Sequence, residues 1–312
     1  MKLLIVGGVA AGASAAARAR RLSEDAEIIV FERGPDVSFA NCGLPYYLGG
    51  EITERQKLLV ASPDLLRGRF KIDVRTRSSV ESIDRANKMV RVRDLVSGRE
   101  YSETYDKLIL APGAAPLRPP LPGIDLPGIF TLRNLQDVDR IKERLDGGVR
   151  KVAIIGAGFI GLELVHNCIG LGIDTTLIEL QDQVLPPFDK EMTTPVLEKL
   201  LSHGARVMLG ESAEGFDTVD SGLTIRLRSG ERITADLVIL GIGVRPENKL
   251  AVEAGLEVGA RGGVRVDAQL RTSDPDIYAV GDAIETHDFV TGDPAQVPLA
   301  GTDWIPGLNA GM

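Results

Sequence analysis

The sequence predicts an α/β fold built from two copies of one parallel strand–turn–helix–strand unit, and three observations carry that prediction. An apolar strand, Leu3-Leu-Ile-Val6, breaks at Gly7-Gly8 into an alanine-rich helical stretch that ends near Leu22. The same order recurs about 150 residues later, where Lys151-Val-Ala-Ile-Ile155 leads into Gly156-Ala-Gly158-Phe-Ile-Gly161 and a helix to about Leu171. A second strand closed by an acid follows each copy: Glu27 to Glu32 in the first, Thr175 to Glu179 in the second.

Each part has a physical purpose. The first glycine makes the turn, the second lets backbone approach a pyrophosphate, and the third lets the helix pack on the strand. The pyrophosphate sits at the helix N-terminus, where free N–H groups and the dipole favour an anion. The terminal carboxylate accepts a hydrogen bond from a ribose hydroxyl. Two such units with their strand context make a pair of Rossmann-like dinucleotide-binding domains. The first copy departs from the pattern, because Gly7 and Gly12 take the outer glycine positions while Val9 stands at the middle one. Residues 1–17 also resemble a secretory signal in their single lysine and apolar, small-residue run. That reading leaves the acid at Glu32 unexplained, so the strand–turn–helix reading is preferred.

Between the copies, residues 73–105 alternate apolar and polar over short runs, with a turn at Ser97-Gly98. A helix begins at Ser62, with Pro63 at its first position. Residues 134–146 and 189–203 read as further helices. Leu108-Ile-Leu-Ala-Pro-Gly113 is a buried strand ending in a breaker, and the prolines of 114–127 mark a crossover. Asp236-Leu-Val-Ile-Leu240 with Gly241-Ile-Gly-Val-Arg-Pro246 repeats that pattern and marks the return. The expected domains are therefore 1–113 with 244–312, discontinuous, and 114–243 inserted between them.

Composition narrows the function. Hydrophobic residues at 44% and charged residues at 26% suit a globular chain with ample core. A net charge of −8 argues against nucleic-acid or anionic-membrane surfaces, whose affinity comes from clustered Lys and Arg. No apolar run is long enough to span a membrane, and the expected location is the cytoplasm. Two cysteines, Cys42 and Cys168, are too few for a disulfide-stapled scaffold. None of the three histidines (His166, His203, His287) has metal-ligand spacing, so no metal is expected.

Val6-Gly-Gly-Val-Ala-Ala-Gly12, Gly156-Ala-Gly-Phe-Ile-Gly161 and Thr272-Ser-Asp-Pro-Asp-Ile-Tyr-Ala-Val-Gly-Asp282 resemble, in that order, the motifs of flavin- and pyridine-nucleotide-dependent disulfide oxidoreductases. The resemblance implies FAD on the first domain and NADH on the inserted one, with Gly281 and Asp282 at the ribityl chain of FAD. Ser38-Phe-Ala-Asn-Cys-Gly-Leu-Pro-Tyr-Tyr47 carries one cysteine where most of that family has a C-x₄-C pair; Tyr47 follows at the fifth position. It is similar to the single-cysteine subgroup: coenzyme A–disulfide reductases, NADH-dependent persulfide reductases and, more distantly, NADH oxidases and peroxidases. In those last enzymes the cysteine cycles through a sulfenic acid.

One cysteine suffices if the partner thiol comes from outside. Cys42 as thiolate attacks a disulfide or polysulfide sulfur and holds half of the substrate as a mixed disulfide. Gly43 and Pro45 fit a turn that opens a helix beside it. Cys168, on the apolar face of its helix, reads as structural. By position the resemblance implies substrate contacts at Ser14, Arg18, Arg21, Ser38 and Asn41, and places Glu163 near the nicotinamide. Arg20 is open between a coenzyme A contact and a solvated basic face. Glu179 followed by Leu180-Gln181 favours NADH over NADPH, since a carboxylate repels a 2′-phosphate. Members of the family continue after Val297-Pro-Leu-Ala-Gly301 into a flavin-facing helix and an interface domain that forms the homodimer. Here the resemblance stops, and residues 302–312, with Pro306, Gly307 and Gly311, read as no continued helix. A fragment or a naturally short form, with doubtful FAD retention, is the expectation.

Overall fold

The computed structural model describes residues 1–219 and 222–298. The expectations for 302–312 and for the latter part of Val297 to Gly301 lie outside the described residues. The chain separates into two compact units: Met1–Ala40 with Leu59–Ala115 and the stretch from Arg245 onward, and Asn41–Leu58 with Pro116–Val244. The chain thus leaves the first unit at Ala115 and returns at Arg245. Asn41–Leu58 groups with the second unit, where the sequence reading kept it with the first.

In chain order the first unit contributes β1 (Lys2–Val6), α1 (Ala10–Leu22) and β2 (Glu27–Glu32). After the segment that carries α2 (Leu44–Gly49) come α3 (Pro63–Phe70) and β3 (Asp73–Thr76). The meander β4 (Ser78–Asp84), β5 (Met89–Asp94) and β6 (Glu100–Thr104) follows, then β7 (Lys107–Leu110). Past the short β8 (Ala114–Pro116), the second unit runs β9 (Ile129–Thr131), α4 (Leu135–Asp146), β10 (Lys151–Ile155), α5 (Phe159–Gly170) and β11 (Asp174–Ile178). It continues with α6 (Lys190–Ser202), β12 (Arg206–Met208), the meander β13 (Ala213–Val219), β14 (Gly222–Leu227) and β15 (Arg232–Ala235), and β16 (Leu237–Leu240). The chain returns through β17 (Val244–Pro246), α7 (Lys249–Glu253), β18 (Val264–Arg265), β19 (Ile277–Ala279), β20 (Ile284–His287) and β21 (Pro294–Ala295).

The two units share one plan. Five parallel strands in the order β19-β7-β1-β2-β3 form the first sheet, and β9-β16-β10-β11-β12 form the second. Each unit adds a three-stranded antiparallel meander, β4-β5-β6 or β13-β14-β15. An aspartate just before the closing strand pins the first strand in both. Asp106 accepts from the Lys2 N–H at 2.6 Å, and Asp236 accepts from the Arg150 and Lys151 N–H groups at 2.8 and 2.9 Å.

Buried parallel strands read as continuous apolar runs because both faces are covered. In β1, Leu3 and Ile5 pack toward Ala11, Ala15, Ala16 and Ala19 of α1, while Leu4 and Val6 join Val80, Val90 and Val92 of the meander. The alanines of α1 leave little side chain between helix and sheet, so the helix N-terminus comes close to the strand ends. Helices α3 and α4 both begin at side-chain caps, α3 at the Ser62 start that the sequence predicts. The Ser62 side chain accepts from the Leu65 N–H at 3.1 Å, and Asn134 with Asp137 forms a reciprocal capping box on α4. Among the described residues no helix is long and apolar enough to cross a membrane.

Candidate active site

Both glycine loops lie at the C-terminal ends of their parallel strands, where open α/β sheets bind ligands. Gly7 has φ +100°, and a Cβ there would sit 2.0 Å from the Ala111 carbonyl oxygen. Gly156 has φ +105°, with a Cβ 2.4 Å from the Gly241 oxygen. Neither position accepts a side chain. The third glycines, Gly12 and Gly161, would each bring a Cβ to 1.9 Å from the oxygen of the first glycine of their loop. They are what lets α1 and α5 close onto the turn.

The middle positions differ in kind. Val9 caps α1 at φ −91°, and Gly158 caps α5 at φ −75°. Val9 is thus spared the left-handed φ that only glycine adopts freely. A Cβ on Gly158 would meet nothing within 4 Å, so the protein itself leaves that space free. Neither helix has a side-chain cap or an acid in its first turn, in contrast to α3 and α4. The N-terminal N–H groups are thus left for an anion, and the donor set in each unit fits a dinucleotide pyrophosphate.

The two acids do more than the sequence reading gave them. Glu32 accepts from the Gly8 N–H at 2.8 Å and, through its other oxygen, from the Gly34 N–H at 2.7 Å. Glu179 repeats this with the Ala157 N–H at 2.6 Å and the Gln181 N–H at 2.8 Å. Each buried carboxylate ties the glycine loop to the end of its strand, and its remaining lone pairs suit a ribose hydroxyl. No spacing rule signals this second role, because the partners are backbone groups.

In the first unit, Gly281 (φ +73°) opens the turn after β19 and carries Asp282 at the same sheet edge. Asp282 is half-buried, with Oδ1 shielded from solvent. Ser38 adopts a left-handed φ of 47° and donates its N–H to the Gly8 oxygen at 2.9 Å, so it abuts the glycine loop. Ser14, Arg18 and Arg21 share one face of α1 by their i, i+4, i+7 spacing, and no hydrogen bond or ion pair holds them among the described residues. Arg20 is different. Its guanidinium donates to the Phe70, Ser23, Glu24 and Lys71 carbonyls at 2.6–3.0 Å. It clasps the ends of α1 and α3, and both sequence readings offered for it give way to a structural one.

The second unit holds the thiol. Asn41, Cys42 and Gly43 form a short 3-10 turn ahead of α2, with Pro45 at the second position of that helix. Asn41 and Cys42 are exposed. Cys168 is buried in α5, and burial pushes its thiol up to about 12. Both cysteines are free, so the chain offers Cys42 no sulfur partner. Glu163, on α5, is half-buried, and that desolvation raises its pKa above the usual carboxylate range. Phe159 and Phe188, both partly exposed, meet edge to face at 6.0 Å beside the start of α5.

The profile of the pyridine nucleotide-disulphide oxidoreductases matches residues 1–303. The chain belongs to that family. Within it, the chain is 36% identical to the coenzyme A disulfide reductase of Staphylococcus haemolyticus over 300 residues, 96% of this chain and 67% of that protein. The crystal structure of reduced Bacillus anthracis CoADR-RHD superposes with a TM-score of 0.97 at 46% identity, covering 99% of this chain and 56% of that one. A NAD-dependent persulfide reductase from A. fulgidus gives a TM-score of 0.96 at 37% identity, covering all of this chain and 58% of that one. The chain therefore spans little more than half the length of these two solved relatives and about two thirds of the Staphylococcus haemolyticus protein.

Proposed function

We propose that this chain is an NADH-dependent flavoprotein that reduces the disulfide or persulfide of a low-molecular-weight thiol of the coenzyme A type through Cys42. The observation that carries this reading is the exposed Cys42 thiol in a two-unit nucleotide fold whose other cysteine is buried and inert. Membership of the family, and relatives that reduce coenzyme A disulfide and persulfide, support it.

FAD is assigned to the first unit, with Gly7, Gly8, Gly12, Glu32, Gly281 and Asp282 as its residues. NADH is assigned to the second, at Gly156, Gly158, Gly161, Glu163 and Glu179. Bound FAD supplies a two-electron relay between the nicotinamide and the thiol. The protein's own part is to hold, orient and react. The uncapped N-termini of α1 and α5 receive the pyrophosphates, and Glu32 and Glu179 fix the loops that present those N–H groups. The Cys42 thiolate attacks one sulfur of the substrate, forming a Cys42–S–S–R bond and releasing one RS⁻. Two electrons originating from NADH then break that bond, restoring the Cys42 thiolate and releasing the second RS⁻. The balance is NADH, a proton and RSSR giving NAD⁺ and two RSH. Arg18 and Arg21 offer positive charge to the phosphates of a coenzyme A–type substrate, with Ser14, Ser38 and Asn41 as polar contacts.

The test is NADH consumption by the purified chain with coenzyme A disulfide, hydrogen peroxide or dioxygen as the acceptor. Turnover with the disulfide, lost in Cys42→Ser while NADH still bleaches the flavin absorbance, is the expected result. Turnover with oxygen or peroxide alone assigns the oxidase or peroxidase chemistry instead. A colourless protein that takes up no flavin leaves only a nucleotide-binding remnant.

A further inference from the structure

The segment that carries the thiol is an insertion between β2 and α3, yet it packs within the second unit. Leu44 and Leu48 of α2 are 2% exposed, and Leu58 at the end of the segment is fully buried. Polar and close-packed contacts to α4 and α5 hold it there. At the exit, Arg55 donates to both carboxylate oxygens of Asp139 on α4, at 2.9 Å each. Nearer the thiol, the last residue of α2, Gly49, lies directly against Asn167 of α5. A Cβ on Gly49 would fall 1.8 Å from Asn167 Oδ1, 2.6 Å from its Cγ and 2.9 Å from its Cβ.

Asn167 cannot simply swing away. The residue is 4% exposed, and Nδ2 donates to the Glu163 carbonyl one turn earlier at 2.7 Å. That bond fixes which end of the amide faces Gly49, since only nitrogen donates to a carbonyl. The same helix, α5, is capped at Gly158, the end assigned above to the nicotinamide nucleotide.

We infer that Asn167 is a positioning residue: with Gly49 it docks α2 on the nucleotide-binding helix and so sets where the Cys42 thiol stands. The inference rests on the reading of Cys42 as the reacting thiol. A docking helix that supplies electrons' entry point and thiol placement from one rigid element holds the two in fixed geometry. Misplacement of a reacting group by about 1 Å is enough to cost up to ~100-fold in rate.

The test is a double-variant cycle on the full chain, using Gly49→Ala, Asn167→Ala and the pair. The readouts are the rate of Cys42 alkylation by iodoacetamide and the steady-state constants with coenzyme A disulfide. Gly49→Ala is expected to change the alkylation rate severalfold and lower kcat by about 10- to 100-fold, with the KM for NADH unchanged. Asn167→Ala removes the obstructing amide but keeps its own Cβ, 2.9 Å from the new one, so the double variant recovers part of both. If Gly49→Ala does not fold, Asn167→Ala alone must still shift the alkylation rate and kcat without moving the KM for NADH. A folded Gly49→Ala, or failing that a folded Asn167→Ala, with wild-type alkylation and kcat overturns the inference. Equal losses in melting temperature, KM and kcat without recovery in the pair also overturn it, since that is what loose packing alone produces. Alkylation is read without any disulfide substrate, so a failed positioning role is distinguishable from a thiol that carries no turnover.

Discussion

Over β1 to β7 and β10 to β16 the two units run through matching elements, and there they differ most in a single connection. From β1 to β7 and from β10 to β16 the order of strands, helices and meander is the same. The loops agree closely: φ of +100° and +105° at the first glycine, and 2.8 and 2.6 Å from the acid to the loop N–H. Between the acid strand and the next helix, however, the second unit uses residues 179–189 and the first uses 33–62. The extra length holds Asn41, Cys42 and α2. What is duplicated is the physics of holding a dinucleotide, and what is unique is the thiol. A nucleotide unit needs only glycine geometry, a free helix end and a carboxylate; on the proposed reading the longer connection adds the reacting thiol.

The comparison breaks most visibly at the first glycines. Gly7→Ala and Gly156→Ala each force a side chain into left-handed backbone against a carbonyl. Each should destabilise its unit by more than ~1 kcal/mol and abolish one ligand only. Flavin absorbance should vanish in the first variant, and NADH binding in the second; loss of the opposite ligand would mean that the two assignments are exchanged. The next contrast lies within one loop. Gly161→Ala should unfold the second unit, because its Cβ lands 1.9 Å from the Gly156 oxygen. Gly158→Ala should melt as the wild type does, since nothing surrounds it, while binding NADH more weakly. Denaturant melts and NADH titrations of both variants separate packing from ligand approach.

A smaller change is expected at the acid. Glu179→Arg should move the NADPH-to-NADH ratio of kcat/KM by about tenfold, equivalent to ~1.4 kcal/mol. It should also weaken both nucleotides, because the Ala157 and Gln181 N–H groups lose their acceptor. An unchanged ratio would remove Glu179 from the ribose. The least effect belongs to Glu163. A carboxyl whose folded pKa is raised by burial binds its proton more tightly folded than unfolded, so its charge opposes folding once pH exceeds that raised value. Glu163→Gln should therefore stabilise the chain by less than ~1 kcal/mol at pH 8. The advantage should fade as pH falls through the raised pKa and be gone below the ordinary carboxylate pKa. Melting temperatures of the two proteins across that range check the sign.

Much of this was legible in the residues. The glycine spacing, the terminal acids and the strand-plus-breaker repeat at Leu108 and Leu237 follow from local geometry, and so do the caps at Ser62 and Asn134. The burial of Cys168 followed from helical periodicity. Three features were not legible. Arg20 finds its partners in carbonyls up to 51 positions away, which no local pattern records. The loop-tying role of Glu32 and Glu179 depends on backbone N–H groups, which look alike at every position. The grouping of Asn41–Leu58 with the second unit comes with contacts such as Gly49 against Asn167 and Arg55 with Asp139, between residues far apart in sequence that no motif links.

The most direct measurement is the mass of the Cys42 peptide after anaerobic reduction of the chain with NADH and exposure to coenzyme A disulfide. Trapping at short times should show Cys42 carrying one coenzyme A through a disulfide, with Cys168 unmodified and the adduct lost on adding more NADH. An unmodified Cys42 during continued disulfide reduction, or an adduct that NADH does not remove, would contradict the account.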